Sequence, residues 1–375
     1  MNYVTKFLLA VIFTIMTSGS VMASHICAYV NDNVKGLNAV EGYKVGPGNE
    51  TLHIGPYRTN GRGLAQAFSS GGLAAARVKE GDLYVGDIGS NNITHFIINK
   101  TDCTLSKDPT KYPSGDTQIG LGDSLTITPG GHTMFVGSTG DDHIYSHTIA
   151  TNGALGTTFT EALGSDYPVE IVVSPDGETL LVTYLYALQV CAYPIVRGHL
   201  GAPNCQSTGN LPYGISVDPD SSCVYAGELN DGGPSEIASF KLTAGVLGPA
   251  MEYNAFGPAT YTDAGVLVNW DNTAIYISDS SSAQITIGTI TPGCNLRYKT
   301  IISDGRDLVD HPGQIAQAPI SHGYVVTGDI NYDNTPSMGV FEAHENGNLT
   351  PLGTDQLSLM SGEAAPSTIV VVGPR

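Results

Sequence analysis

The stretch PVEIVVSPDGETLLVTY, residues 168–184, reads as two strands joined by a tight turn. Apolar residues alternate up to Val173 and again from Leu180, and Asp176-Gly177 supplies the turn between them. A lone two-stranded hairpin is marginal in water, so this one needs neighbours to bury its apolar faces.

Its copies run the length of the chain. Second strands recur as CAYVND (27–32), LYVGD (83–87), MFVGS (134–138), LLVTY (180–184), VYAGE (224–228), IYISD (275–279) and YVVTGD (324–329). Taken through Tyr29, Tyr84, Phe135, Leu181, Tyr225, Tyr276 and Val325, the repeat steps by 44 to 55 residues. Each copy continues with an alternating third strand, a Gly/Asn turn and a leucine, from Leu52 to Leu349. Four strands per repeat of this length predict an all-β, seven-bladed β-propeller.

First strands precede the second strands in six copies, as DSLTITP (123–129) and PYGISVDP (212–219) do. The first copy lacks one, and the chain ends on an unpaired one, PSTIVVV (366–372). The ring is therefore expected to close by pairing 366–372 beside 27–32, which hides both free edges.

Six cysteines fit three disulfides, and the repeat selects among the connectivities. Cys191 and Cys205 flank the Gly198 turn symmetrically, so they should face each other. Cys27 and Cys223 stand two before the tyrosines of blades 1 and 5, and Cys103 and Cys294 two before the leucines of blades 2 and 6. Two copies of one inter-blade staple, Cys27–Cys103 and Cys223–Cys294, follow; free thiols are the alternative. No spacing suits zinc.

Residues 1–23, with Lys6, the run FLLAVIFTIM and small residues up to Ala23, read as a secretory leader, leaving 24–375 as a single propeller domain. No other stretch is long and apolar enough to span a membrane. Without Lys6 the chain carries 15 basic against 35 acidic residues, so nucleic acid and anionic membranes are poor partners. The expectation is an exported monomer, extracellular or periplasmic.

Second strands often end in an acid: Asp32, Asp87, Glu228, Asp279 and Asp329. The entries to the first strands add Asp123, Glu170, Asp263 and Gln314. Both sets belong to the ring face where a propeller's ligand mouth lies. Converging oxygens suit a hydroxyl-rich ligand, or Ca²⁺ held among Asp32, Asp87, Asp279 and Asp329, although no cofactor is required. The plainer reading of each is an Asx turn at a strand end. His311 in DHPGQ, with Arg306 nearby, places a general base and an anion-binding cation close to the same mouth. His95 and His147 alternate along third strands and read as blade-face residues.

The segments SPDGETLLVTYLYALQVCAYPI and DPDSSCVYAGELNDGGPSEIASFKL resemble the repeats of seven-bladed lactonase-type propellers. That family includes 6-phosphogluconolactonases and carboxymuconate cycloisomerases and grades into YVTN-type exported propellers. The resemblance implies a catalytic role for Glu228, which matches the glutamate of the family's Tyr-x-x-Asn-Glu-Leu pattern, with Gly227 in place of Asn. The family's histidine before a channel strand is replaced by Gly214, and the arginine beside it is missing. These departures favour a binder of a small polar ligand, glycan or protein. The alternative is a lactone hydrolase or isomerase using Glu228, His311 and Arg306.

Overall fold

A computed structural model describes residues 25–33, 36–46, 50–63, 73–76, 81–114, 123–162, 167–229, 236–254, 256, 263–279, 284–303, 312–317, 324–330, 336–356 and 369–372. For 73–76, 123, 162, 254, 263–264, 279, 303, 312–317, 328–330, 336–337, 353–356 and 369–371 the description is of the backbone. The strands form seven antiparallel sheets, six of them consecutive meanders and the first completed by the C-terminal strand. Among the described residues the helical content is one 3₁₀ turn, Ile88–Ser90. Innermost strands of successive blades touch one another around a complete circle, so the sheets form a closed propeller.

Closure follows the expected route. Ile369–Val372 pairs antiparallel with Ile26–Asn31, Cys27 opposite Val372 and Val30 opposite Ile369, and becomes the inner strand of blade 1. Residues 366–368 of the expected strand lie outside the described residues.

Strand alternation builds the core between blades, because each blade buries both faces. Tyr29, Val40, Leu83, Val85 and Phe96 pack together between blades 1 and 2. Ile26, Ala28, Val30, Val326, Met338 and Val340 pack between blades 7 and 1. That second cluster corrects the repeat in blade 7. Pro312 pairs with Asp329 as Pro212 pairs with Glu228. The counterpart of Tyr225 is therefore Val326, which packs on the next blade, and Val325 points back toward blade 6. Two adjacent valines carry no information about which one faces forward; only the register does.

Two of the repeat tyrosines, Tyr29 and Tyr84, latch one blade to the next. Tyr29 Oη donates to Cys103 O at 2.9 Å, and Tyr84 Oη to Gly153 O at 2.6 Å, each reaching the turn between third and outer strands of the following blade. Gly153 sits at φ +82°, and a β-carbon there would stand 2.4 Å from Asp82 Oδ1. The room is taken by His95, buried between Asp82 at 2.8 Å and Asp108 at 3.3 Å and stacked on Tyr84. His147 is likewise buried, bonded to Thr158 Oγ1 at 3.0 Å, and burial pushes its imidazole down to about 4. Both are blade-face residues, as their alternation indicates.

All six cysteines are paired as the repeat requires: Cys27–Cys103, Cys191–Cys205 and Cys223–Cys294. Two staples join blade 1 to 2, beside the Tyr29 latch, and blade 5 to 6, where Ser239 Oγ donates to Cys294 O at 2.8 Å, and the third closes the outer strand of blade 4 onto Cys191.

Candidate functional site

Inner strands start, and second strands end, on one face of the ring. Registers bring the two together there: Pro168 opposite Tyr184, Pro212 opposite Glu228, Asp263 opposite Asp279, and Pro312 opposite Asp329. In these four consecutive blades, 4 to 7, the pairing slips just inside that edge. A β-bulge inserts extra residues and re-aims their side chains. Glu170, Gly214 and Gln314 occupy corresponding places in three of the bulges, each directly before an isoleucine. The inner strand of blade 3, opened by Asp123 opposite Ser138, pairs without such a slip.

Asp32, Asp87 and Glu228 stand at equivalent positions, three residues beyond Tyr29, Tyr84 and Tyr225. Pleating turns all three away from the tyrosine's side, so Asp87 and Glu228 face the preceding blade and Asp32 faces blade 7. Their environments differ sharply.

Asp87 is saturated. Its Oδ1 accepts from Asn38 Nδ2 at 2.9 Å and from Thr59 Oγ1, and its Oδ2 from Asn92 Nδ2 at 2.7 Å and Thr94 Oγ1 at 2.8 Å. Burial raises its carboxyl and these bonds oppose the rise. It ties the strand ends of blade 1 to blade 2, with Gly61 pressed against its carboxylate.

Asp32 is the opposite case. It is fully buried, and neither carboxylate oxygen has a partner. Burial, reinforced by the nearby Glu41 charge, pushes its carboxyl up to about 9. Glu41 bonds His53 Nε2 through Oε2 and leaves Oε1 unpartnered. Asp32 and Asp87 thus lie in different inter-blade seams.

Glu228 lies in the seam between blades 4 and 5. Its Oε2 accepts the Asn210 amide at 3.1 Å, while Oε1 has no partner. Burial first, and then the Glu252 charge, hold its carboxyl well above the usual carboxylate range. Glu252 is an exposed residue of the outer strand, and its carboxyl and that of Glu228 both lie against Gly209. Glu236, opposite Glu228 in the ladder, accepts from Asn210 Nδ2. Glu236 and Glu252 carry no mark in the sequence. They join Glu228 because facing residues of paired strands point to one side of a sheet.

Toward the channel, Glu170 is half-buried, with Oε2 accepting the Ile215 amide at 3.1 Å from blade 5. Beside it Tyr213 is buried, its phenol pushed up by burial and then by Glu170. On the same face Tyr167 and Tyr186 bring their rings to 5.2 Å, and Tyr186 is 66% exposed. The Tyr167 amide rests on Asp142 Oδ1 at 3.3 Å. The arrangement is an aromatic pair, Tyr186 exposed and Tyr167 half-buried, next to hydrogen-bonding carboxylates. His311 and Arg306, expected at the same mouth, lie outside the described residues. The side chains of Asp123, Asp263, Asp279, Gln314 and Asp329 do too, so these residues are placed by their strands alone.

No model of a known protein family matches the sequence, and no curated protein matches it. Solved structures do match. The periplasmic gluconolactonase of Pseudomonas aeruginosa superposes with a TM-score of 0.70 at 15% identity, over 93% of this chain and 99% of that one. A candidate 6-phosphogluconolactonase of Bacteroides fragilis gives 0.71 at 15% identity, over 94% and 99%. A Lactobacillus plantarum protein gives 0.69 at 16% identity, over 94% and 100%. At these identities the likeness is one of fold: the chain shares the seven-bladed propeller of these proteins.

Proposed function

We propose that this is an exported propeller that binds a small polar ligand of the carbohydrate class at the mouth of blades 4 and 5, without turning it over. The observation carrying this reading is the burial of Glu228. The glutamate that matches the family pattern has no exposed surface, and burial and the Glu252 charge hold its carboxyl above the usual range. Gly214 stands where the family has histidine. What the same mouth does present is recognition chemistry: the Tyr186 face for stacking, and Glu170 for hydroxyl groups. Export is supported by the leader-like residues 1–23, by three disulfides, and by likeness to a periplasmic protein. Among the described residues no helix is long and apolar enough to cross a membrane.

One observation favours a second reading, lactone hydrolysis or isomerisation. A carboxyl held above its ordinary range is suited to general acid work near neutral pH, with His311 and Arg306 as partners. Ca²⁺ drawn from Asp32, Asp87, Asp279 and Asp329 is compatible with either reading. Of the two described members, Asp32 has unpartnered oxygens to offer, whereas Asp87 has donors on both.

The test is a panel of sugar and sugar-acid lactones offered to the mature protein with Ca²⁺ or a chelator, alongside calorimetric titration with neutral mono- and oligosaccharides. Binding without turnover, weakened by Tyr186→Ala and unchanged by Glu228→Gln, is the expected result. Turnover abolished by Glu228→Gln would replace it with the catalytic reading.

A further inference from the structure

On the opposite face, the inner strand of each of blades 3 to 6 turns into the second strand through one tight turn. The closing hydrogen bond is the same in four successive blades: Gly131 N to Thr128 O at 2.7 Å, Gly177 N to Ser174 O at 2.8 Å, Ser221 N to Asp218 O at 3.0 Å, and Asn272 N to Asn269 O at 3.0 Å. The second residue of such a turn favours proline, whose ring presets φ. Blades 3, 4 and 5 have it, as Pro129, Pro175 and Pro219. Blade 6 has Trp270, the one tryptophan of the chain. A departure from a local rule with no gain to the turn is expected at a functional position.

The tryptophan completes a cleft of about 190 Å³ whose lining includes Pro175, Ser216, Pro219, Leu267, Val268 and Trp270. Three of these are the same turn residue from blades 4, 5 and 6. Trp270 is 39% exposed. An apolar cavity of about 150 Å³ suffices for benzene. The cleft therefore has room for one ring or one trialkylammonium head. Its hydroxyl, Ser216 Oγ, already accepts the Val268 amide at 3.1 Å, so a sugar would leave most of its hydroxyls without partners. Charge separates the remaining choices. Each lining turn residue is followed by an exposed aspartate, Asp176, Asp220 or Asp271. No lining residue is basic, and the chain as a whole carries a formal charge of −19.

We propose that the cleft on this face, floored by Pro175, Pro219 and Trp270, is a binding site for a small substituted-ammonium cation. Its alkyl groups rest on the prolines, Leu267 and Val268, and its charge lies over the indole, where the ring quadrupole attracts it. The aspartates at the rim raise the local cation concentration and exclude anions. This site is on the other side of the ring from Glu228 and Glu170, and its occupancy does not depend on the reading of that mouth.

A single tryptophan makes the test direct, since intrinsic fluorescence reports Trp270 alone. The mature protein is titrated with choline and tetramethylammonium, with 3,3-dimethyl-1-butanol as the uncharged isostere of choline, and with glucose. The expected result is a saturable change with the cations, about tenfold weaker with the neutral isostere, and weaker again as salt is raised. By calorimetry, Trp270→Pro, which installs the residue of the other blades, abolishes choline binding. Asp271→Asn weakens it severalfold and keeps the indole. Glu228→Gln leaves the titration unchanged, which separates this site from the mouth. Equal binding of the neutral isostere, a saturable response to glucose, or no response to either cation overturns the proposal.

Discussion

Among the acids that end the second strands, position alone does not set chemistry. Asp87 and Asp32 occupy the same place in consecutive blades, yet Asp87 has four donors and Asp32 none. A carboxyl buried without partners resists ionisation. For Asp32 the folded value of about 9 lies above the unfolded one of 3.8. The folded state therefore holds a proton that the unfolded state loses. That contribution to stability is complete below pH 3.8 and is lost as pH rises toward 9. Asp32→Asn removes this dependence. The variant should be more stable than the parent by on the order of 4 kcal/mol at pH 7 and nearly equal to it at pH 3. Denaturant unfolding at the two pH values measures the difference; an equal offset at both would show that Asp32 titrates normally.

At the scale of elements, blade-to-blade adhesion is built from paired devices at fixed repeat positions. The Tyr84 hydroxyl has a buried acceptor, so Tyr84→Phe should cost about 1 kcal/mol, with the Gly153 carbonyl left unpaired. Where a staple joins two blades, more is at stake. Cys27–Cys103 and Cys223–Cys294 close loops of 76 and 71 residues, which the chain-entropy model values at about 4.5 kcal/mol each, against about 3 for the 14-residue loop of Cys191–Cys205. The double variant Cys223→Ser/Cys294→Ser should thus lower the unfolding free energy more than Cys191→Ser/Cys205→Ser does. Chemical denaturation of the two variants tests the order. These pairings were legible in the sequence because blades repeat: equal offsets from the tyrosine and from the leucine bring equivalent cysteines together. The acid pair Glu228–Glu252 was not legible. Glu252 lies on an exposed outer strand, and what joins it to Glu228 is the ladder Ala226, Ala238, Glu252, which sets both on the side facing blade 4.

For the whole molecule, closure is the cooperative step. Ile369–Val372 covers the edge of Ile26–Asn31, and its neighbours on either side are the inner strands of blades 7 and 2. A chain ending at residue 365 would expose that edge as a template for another strand. It should lose its single cooperative transition and self-associate, as judged by light scattering during size exclusion. A truncated chain that stays monomeric with unchanged melting would mean that closure does not depend on this strand.

The sequence by itself determined the number of blades, the order of strands, the closing pair and all three disulfides. Each follows from periodicity, and periodicity is a property of the chain. It also placed a line of acids on one face. Tertiary structure decided what those acids became, because a carboxyl's state depends on whichever neighbours burial imposes on it. Asp87 met Asn38, Thr59, Asn92 and Thr94; Glu228 met Glu252; Asp32 met only Glu41 nearby. Tertiary structure likewise turned Trp270 from a substitution in one turn into the wall of a cleft, since its partners Pro175 and Pro219 come from other blades. Contacts between blades join residues some 45 positions apart in the sequence, and no local pattern records which side chains will meet there.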